Sequence, residues 1–239
     1  MARDEATRDI RAMKRVSLVG TVHKEKGLAS ASALLAILER IRPEVLFLEA
    51  SSEASGDYLN ATGKELESAA VSRYREIRHV DLVPVDLPIP DAELFQFVGD
   101  NEYLFKTIER RSPEYCRLVD EYSQEVRAHG FAYLNSERCS TRWSKVREAA
   151  LSAIEELAYP SLTELYERWI GTHELRETHM MKSIEAYCRK TTFSNGVFLV
   201  GAAHRQSLID KSREQRGADS STIQWDFPEF LEAPKEPTT

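Results

Sequence analysis

The chain has 239 residues, 42% of them hydrophobic, and a formal charge of −7. That length and composition suit one large globular domain or two small ones, and the interleaved charges contain no basic block of the kind that marks a nucleic-acid or anionic-membrane partner. No apolar run approaches the roughly 20 residues of a membrane span, and the charged opening MARDEATRDIRAMKR lacks the apolar centre of a signal peptide. Cys116, Cys139 and Cys188 are too widely spaced for a metal knuckle and too few for an even disulfide set. The expected location is a reducing cytoplasm, with neither nucleic acid nor membrane as partner.

Residues 1–14 carry charge without apolar periodicity and are expected to be a flexible tail; 15–232 are expected to form a single α/β domain, and 233–239 a second flexible tail. The β-branched run at 16–19, ended by Gly20, reads as a buried strand, and 29–41 carries Leu34, Leu35, Leu38 and Ile41 at helical spacing. A second strand follows Pro43 at 45–48. Residues 62–78 read as a helix with a thin apolar stripe (Leu66, Ala70, Tyr74, Ile77), and 80–85 as a third strand that Pro88 and Pro90 bring to an end. This alternation is the pattern of parallel βαβ units.

From 91 to about 190 the sequence changes to long charged segments of helical period. Breaks fall at Ser112 and Pro113, near Gly130, at Tyr159 and Pro160, and at Gly171, so four or five helices are expected there. The β pattern resumes with a strand at 196–200, a helix at 203–213 and a last strand near 222–225. The predicted fold class is therefore α/β: a mostly parallel central sheet of βαβ units with a large helical insert, at about 91–190, between its two halves.

Two stretches on either side of the insert nearly repeat each other, VSLVGTVH at 16–23 and VFLVGAAH at 197–204, and each places a histidine three residues after a glycine. In an open parallel sheet, ligands bind beyond the carboxyl ends of the strands. His23, Glu49 and His204 all fall at such ends. Two imidazoles and a carboxylate converging there make a facial ligand set for a divalent metal, with positions left for water and substrate. A Gly-x-x-His turn also fits a loop with a hydrogen-bonded histidine, and a glutamate at a strand end also fits a helix cap.

These residues resemble the TraB/TIKI superfamily, whose relatives include TIKI-type metalloproteases, TraB-type pheromone shutdown proteins, haem-binding ChaN-like lipoproteins and erythromycin esterases. The resemblance rests on Gly20-Thr21-Val22-His23, Glu49, Pro84-Val85-Asp86, Arg176-Glu177-Thr178-His179-Met180 and Gly201-Ala202-Ala203-His204, and runs from about residue 16 to 210. The stretch after Glu49 lacks the arginine usual in TraB-type proteins and is nearer the esterase-like relatives.

Arg176, Met180 and Ile184 share one helix face, so packing its apolar part on the sheet carries Arg176 and Glu177 to the crevice rim. His173-Glu174-Leu175-Arg176-Glu177 fails the H-E-x-x-H pattern at its fifth position, although His173 and Glu177 share a helix face. His173, His179, His129 and His79 are assigned mainly structural or solvent-facing roles. Residues and resemblance together lead to a metal-dependent hydrolase of peptide or small-molecule ester bonds. In it His23, Glu49 and His204 hold one divalent ion (Mn, Co or Zn), Arg176 stabilises the oxyanion, and Glu177, Glu53 or Asp86 acts as general base or orients a ligand imidazole. The alternatives are a metal-independent, erythromycin-esterase-like hydrolase in which one histidine activates water, and a non-catalytic protein that binds haem or a peptide.

Overall fold

The computed structural model describes residues 13–51, 65–216 and 222–230; Glu53, the expected helix start at 62–64 and nearly all of both expected tails lie outside the described residues. The apolar runs become strands β1 (Lys14–Thr21), β2 (Val45–Leu48), β3 (Asp81–Pro84), β4 (Asn195–Gly201) and β5 (Ile223–Asp226). All pair in parallel, in the order β3-β2-β4-β1-β5. The helices are α1 (Ala31–Ile41), α2 (Leu66–Ile77), α3 (Asp91–Arg111), α4 (Pro113–Leu134), α5 (Glu137–Leu157), α6 (Pro160–Lys190) and α7 (Arg205–Arg216). The chain is thus α/β, a five-stranded all-parallel sheet with four helices between β3 and β4. Among the described residues no helix is long and apolar enough to cross a membrane.

Local chemistry sets most boundaries. Ser30 caps α1 by accepting from the Ala33 amide at 3.2 Å, and Ser112 caps α4 by accepting from the Tyr115 amide at 3.1 Å, with Pro113 in the first turn where no amide is needed. Gly130 kinks α4 at φ 52° and ψ −131°. Gly171, in contrast, does not end a helix: α6 runs through it for 31 residues. One interior glycine costs a helix only about 1 kcal/mol. Buried anchors on both sides, Leu162 and Tyr166 before it and Met180, Met181 and Ile184 after it, hold α6 continuous.

The sheet has an apolar layer on each face. Val19, Leu46, Leu48, Val197 and Leu199 pack with α1, α2 and the end of α4 on one side. On the other, Val16, Leu18, Val45, Phe47, Phe198 and Val200 pack with the second half of α6 and with α7. A third cluster, built around Leu104, Ile108, Leu118, Val146, Ile154, Leu162 and Tyr166, holds the helices of the insert to one another. The first half of α6 belongs to this cluster and its second half to the sheet, so one helix ties insert to frame.

The two near-repeats lie side by side as β1 and β4, but they are not equivalent. In the pairing, Gly20 stands opposite Val200 and Thr21 opposite Gly201, one residue out of step with the sequence match. Side chains alternate along a strand, so a one-residue offset reverses which face each occupies. Leu18 packs on the α6 side whereas its counterpart Leu199 packs on the α1 side. The helices that follow diverge in the same sense, α1 to one face and α7 to the other. Where neighbouring strands send their connections to opposite faces, a crevice opens beyond the strand ends.

Gly130 closes this frame on the insert side. A Cβ there would lie 2.7 Å from the Leu28 backbone, at a positive φ that side chains avoid. Gly130→Ala is therefore expected to lower stability by about 1–3 kcal/mol, read as a lower urea midpoint with unchanged slope; an unchanged midpoint contradicts the close approach.

Candidate active site

The carboxyl ends of β3, β2 and β4 deliver a continuous ionic network. Glu49 follows β2 and points to the α6 side. Its Oε2 accepts from the Gly201 amide at 2.7 Å, and its Oε1 lies 2.7 Å from Arg176 Nη2 and 3.4 Å from His204 Nε2. Arg176 also forks onto Asp86, with Nε to Oδ1 at 3.0 Å and Nη2 to Oδ2 at 2.6 Å. Arg176 is thus engaged by two carboxylates through Nε and Nη2.

His204 ends the β4–α7 connection, directly before Arg205, and is buried, with 5% of its surface exposed. Its Nδ1 is 2.8 Å from Glu177 Oε1, and its Nε2 is 3.2 Å from His173 Nδ1. Glu177 is buried as well; its other oxygen accepts from Ser207 Oγ at 2.5 Å and from Lys211 Nζ at 3.2 Å. The ring of His173 is tilted 38° to that of His204 with centres 4.7 Å apart, and its other neighbour is Trp169, edge-on at 4.5 Å. A cavity of about 170 Å³ borders His173, His204, Trp169, Glu177 and Arg147.

Charge balance explains the protonation states. Burial disfavours charge on His204, but hydrogen bonds to Glu177 and Glu49 outweigh it and raise the imidazole to about 9. Burial pushes the Glu49 carboxyl up, and His204, Arg176 and the Gly201 amide more than reverse this, holding it well below the usual carboxylate range. Glu177, opposed by burial but held by His204 and Ser207, falls to about 2. His173 is lowered to about 3 by burial and by the neighbouring charges of His204 and Arg176. Three carboxylates (Glu49, Asp86, Glu177) are matched by Arg176, Lys211 and a protonated His204, beside a neutral His173.

The structure places His23 elsewhere. It follows β1 and turns to the α1–α2 side, where its carbonyl accepts from the Leu66 amide at 2.8 Å and its Nδ1 is 3.9 Å from Glu67 Oε2. Glu67, at the start of α2, is buried and also accepts from the Thr21 hydroxyl. The Glu67 carboxylate is the largest influence on His23, whose pKa is raised, with Glu49 and Glu65 adding at longer range. Among the described residues, His23, Glu65 and Glu67 are the set of three or more metal-type ligands with donor atoms within 4.8 Å of one another. His23, Glu49 and His204 are not gathered in that way. Glu53 lies outside the described residues, and Asp86 serves Arg176.

None of the family models and none of the curated proteins compared matches this chain. Among solved structures, one likeness is to an erythromycin esterase, a histidine-to-asparagine mutant in its open conformation, at 16% identity and a TM-score of 0.36. The match covers 79% of this chain and 60% of that one. At that level no residue and no activity carries over.

His173, expected to be mainly structural or solvent-facing, reaches the buried imidazole of His204. The available signal is its place on the α6 face of Arg176 and Glu177, three and four residues on. Glu67 was also missed; it shares a helix face with Val71 and Tyr74, both buried.

The network makes a stability prediction. Arg176→Met leaves Glu49 and Asp86, with side chains 6% and 12% exposed, without their cation. A loss of about 3 kcal/mol is expected in urea denaturation at pH 7, shrinking as pH falls toward protonation of Glu49, whose carboxyl the pairing holds low; a pH-independent loss below 0.5 kcal/mol contradicts the pairing.

Proposed function

We propose that the chain is a hydrolase that activates water through the His173–His204 pair. The observation that carries this reading is the line Glu177 Oε1, His204 and His173, joined at 2.8 and 3.2 Å and ending at a cavity. A buried carboxylate that accepts from one imidazole nitrogen fixes the tautomer and leaves the other nitrogen to take a proton, the logic of carboxylate–histidine catalysis.

In the working form His204 is neutral, donating Nδ1–H to Glu177 and accepting Nδ1–H of His173 on its Nε2. The Nε2 of His173 takes a proton from water as the hydroxyl oxygen attacks a carbonyl carbon. His173 passes its Nδ1 proton to His204 Nε2, and the positive charge comes to rest on the ring that lies between Glu49 and Glu177. The proton returns along the same path to the leaving group as the acyl bond breaks. His173 ends neutral at each stage, in keeping with an environment that disfavours its charge. Glu177 orients His204; Glu49 stabilises its cation; Arg176, held by Asp86, positions Glu49. The substrate is a peptide or a small-molecule ester.

Because the working form needs His204 without its extra proton, kcat/KM is expected to rise with pH to a midpoint of about 9. His173→Gln and His204→Gln are each expected to lower it 100-fold or more. These are checked with a panel of nitrophenyl esters and fluorogenic peptides, in folded variants and after exhaustive chelation. A rate that falls between pH 7 and 9, or a His204→Gln variant as active as the parent, contradicts the proposal.

A second reading is favoured by the donor set of His23, Glu65 and Glu67. One imidazole and two carboxylates suit Mn, Co or Zn, and Thr21 fixes the Glu67 carboxylate while the exposed His23 and Glu65 can adjust. Such an ion, when bound, supplies an acidified water. The expected outcome is stoichiometric binding of one of these ions that Glu67→Gln weakens at least tenfold and His204→Gln leaves in place. Equal loss in both variants contradicts a site at His23.

A further inference from the structure

Arg147, on α5, stands in the wall between two cavities. One is the small cavity of His173 and His204; the other is a groove of about 810 Å³ between α5, α6 and α7, within the size range of small-molecule sites. Arg147 donates from Nη2 to the carbonyl of Ala203 at 2.9 Å, the residue before His204, so its guanidinium is tied to the turn that carries His204, the partner of the proposed base His173. Its Nε is buried without a hydrogen-bond partner. Among the described residues no carboxylate pairs with it. Of the nearby anions, Glu177 binds His204, Ser207 and Lys211, and Asp210 accepts from Gln206 at 3.0 Å; Glu174, exposed, lines both cavities and Glu214, exposed, lines the groove, but neither pairs with Arg147. Lys211 lines both cavities too. The groove beyond offers Trp143, Met181 and Ala202 as apolar contacts, with Ser140, Ser144 and Gln206 as hydrogen-bonding groups.

A half-buried guanidinium held in place by a backbone carbonyl, without a carboxylate of its own, is a preorganised receptor for a planar anion. We propose that Arg147 binds a carboxylate of the substrate, so that the chain acts on acyl compounds that carry a free carboxylate a few bonds from the scissile ester or amide. This assignment rests on the hydrolase reading for its consequence in turnover, but not for the binding itself. With the carboxylate on Arg147, the acyl carbon is directed toward His173 and the remainder of the substrate lies in the groove. Arg147 is thus a specificity-determining residue rather than a part of the proton path.

The test compares a neutral nitrophenyl ester with the mono-nitrophenyl ester of a dicarboxylic acid such as glutaric acid, together with calorimetric titration of glutarate alone. The parent is expected to favour the carboxylate ester at least tenfold in kcat/KM. Arg147→Gln is expected to lose at least tenfold more on that ester than on the neutral one, mainly through KM, and to lose glutarate binding. Equal losses on both esters overturn the proposal, since they place Arg147 at the reacting carbonyl. No preference and no glutarate binding in the parent also overturn it. If neither ester is turned over, the hydrolase reading fails, and the binding arm decides alone: saturable glutarate binding abolished by Arg147→Gln supports the site, and its absence overturns it. Should Arg147→Gln not fold, Arg147→Lys carries the same comparison, with the preference reduced; an undiminished preference overturns the assignment.

Discussion

Side chains alternate along a strand, and most of what distinguishes the two histidine motifs follows from that constraint. β1 and β4 have nearly the same spelling and lie side by side, but they pair one residue out of step. Equivalent residues therefore face opposite layers, and the chain leaves the two strands toward opposite faces of the sheet. His23 meets α2 and its glutamates. His204 meets α6 and the set of His173, Arg176 and Glu177. Glu49, at the end of the strand next to β4, shares in the His204 network and reaches His23 only through its longer-range charge.

On the α6 side, burial and charge act together. Three carboxylates are brought close to one another below the protein surface, an arrangement that is unfavourable unless cations balance it. Arg176 and Lys211 supply two positive charges, and the third is a proton on His204. The same balance keeps His173 neutral, because a second imidazolium beside the first would repel it. A pair of imidazoles pushed in opposite directions, one toward charge and one away from it, is a natural path for a proton. The role of α6 in this is structural as well as electrostatic: its first half is part of the insert core, its second half packs on the sheet, and His173, Arg176 and Glu177 lie between.

Much of the frame was legible in the sequence. The five apolar runs, the order of strands and helices, and the insert between the third and fourth strands all follow from periodicity and from Ser, Pro and Gly punctuation. Strand-end positions and one helix face led to His23, Glu49 and His204 in one crevice with Arg176 and Glu177 at its rim; Glu49, Arg176, Glu177 and His204 do come together, and His23 does not. Gly171 was misread because a glycine's cost of about 1 kcal/mol is small beside the buried anchors on both sides. The partners of each histidine were not legible, since they depend on the register between two strands 180 residues apart, and a shift of one residue exchanges the faces. His173 and Glu67 were overlooked for a related reason: polar residues on a helix face declare themselves only when it is known what that face packs against.

The most direct test of this account is the pH titration of the histidine ring nitrogens by long-range nitrogen–proton NMR. The prediction is that at pH 7 both nitrogens of His204 carry protons, that this ring loses one with a midpoint near 9, and that His173 stays neutral down to about pH 4. A His204 that titrates near 6.5, or a His173 that is cationic at pH 6, would contradict the charge balance on which the proposed proton path depends.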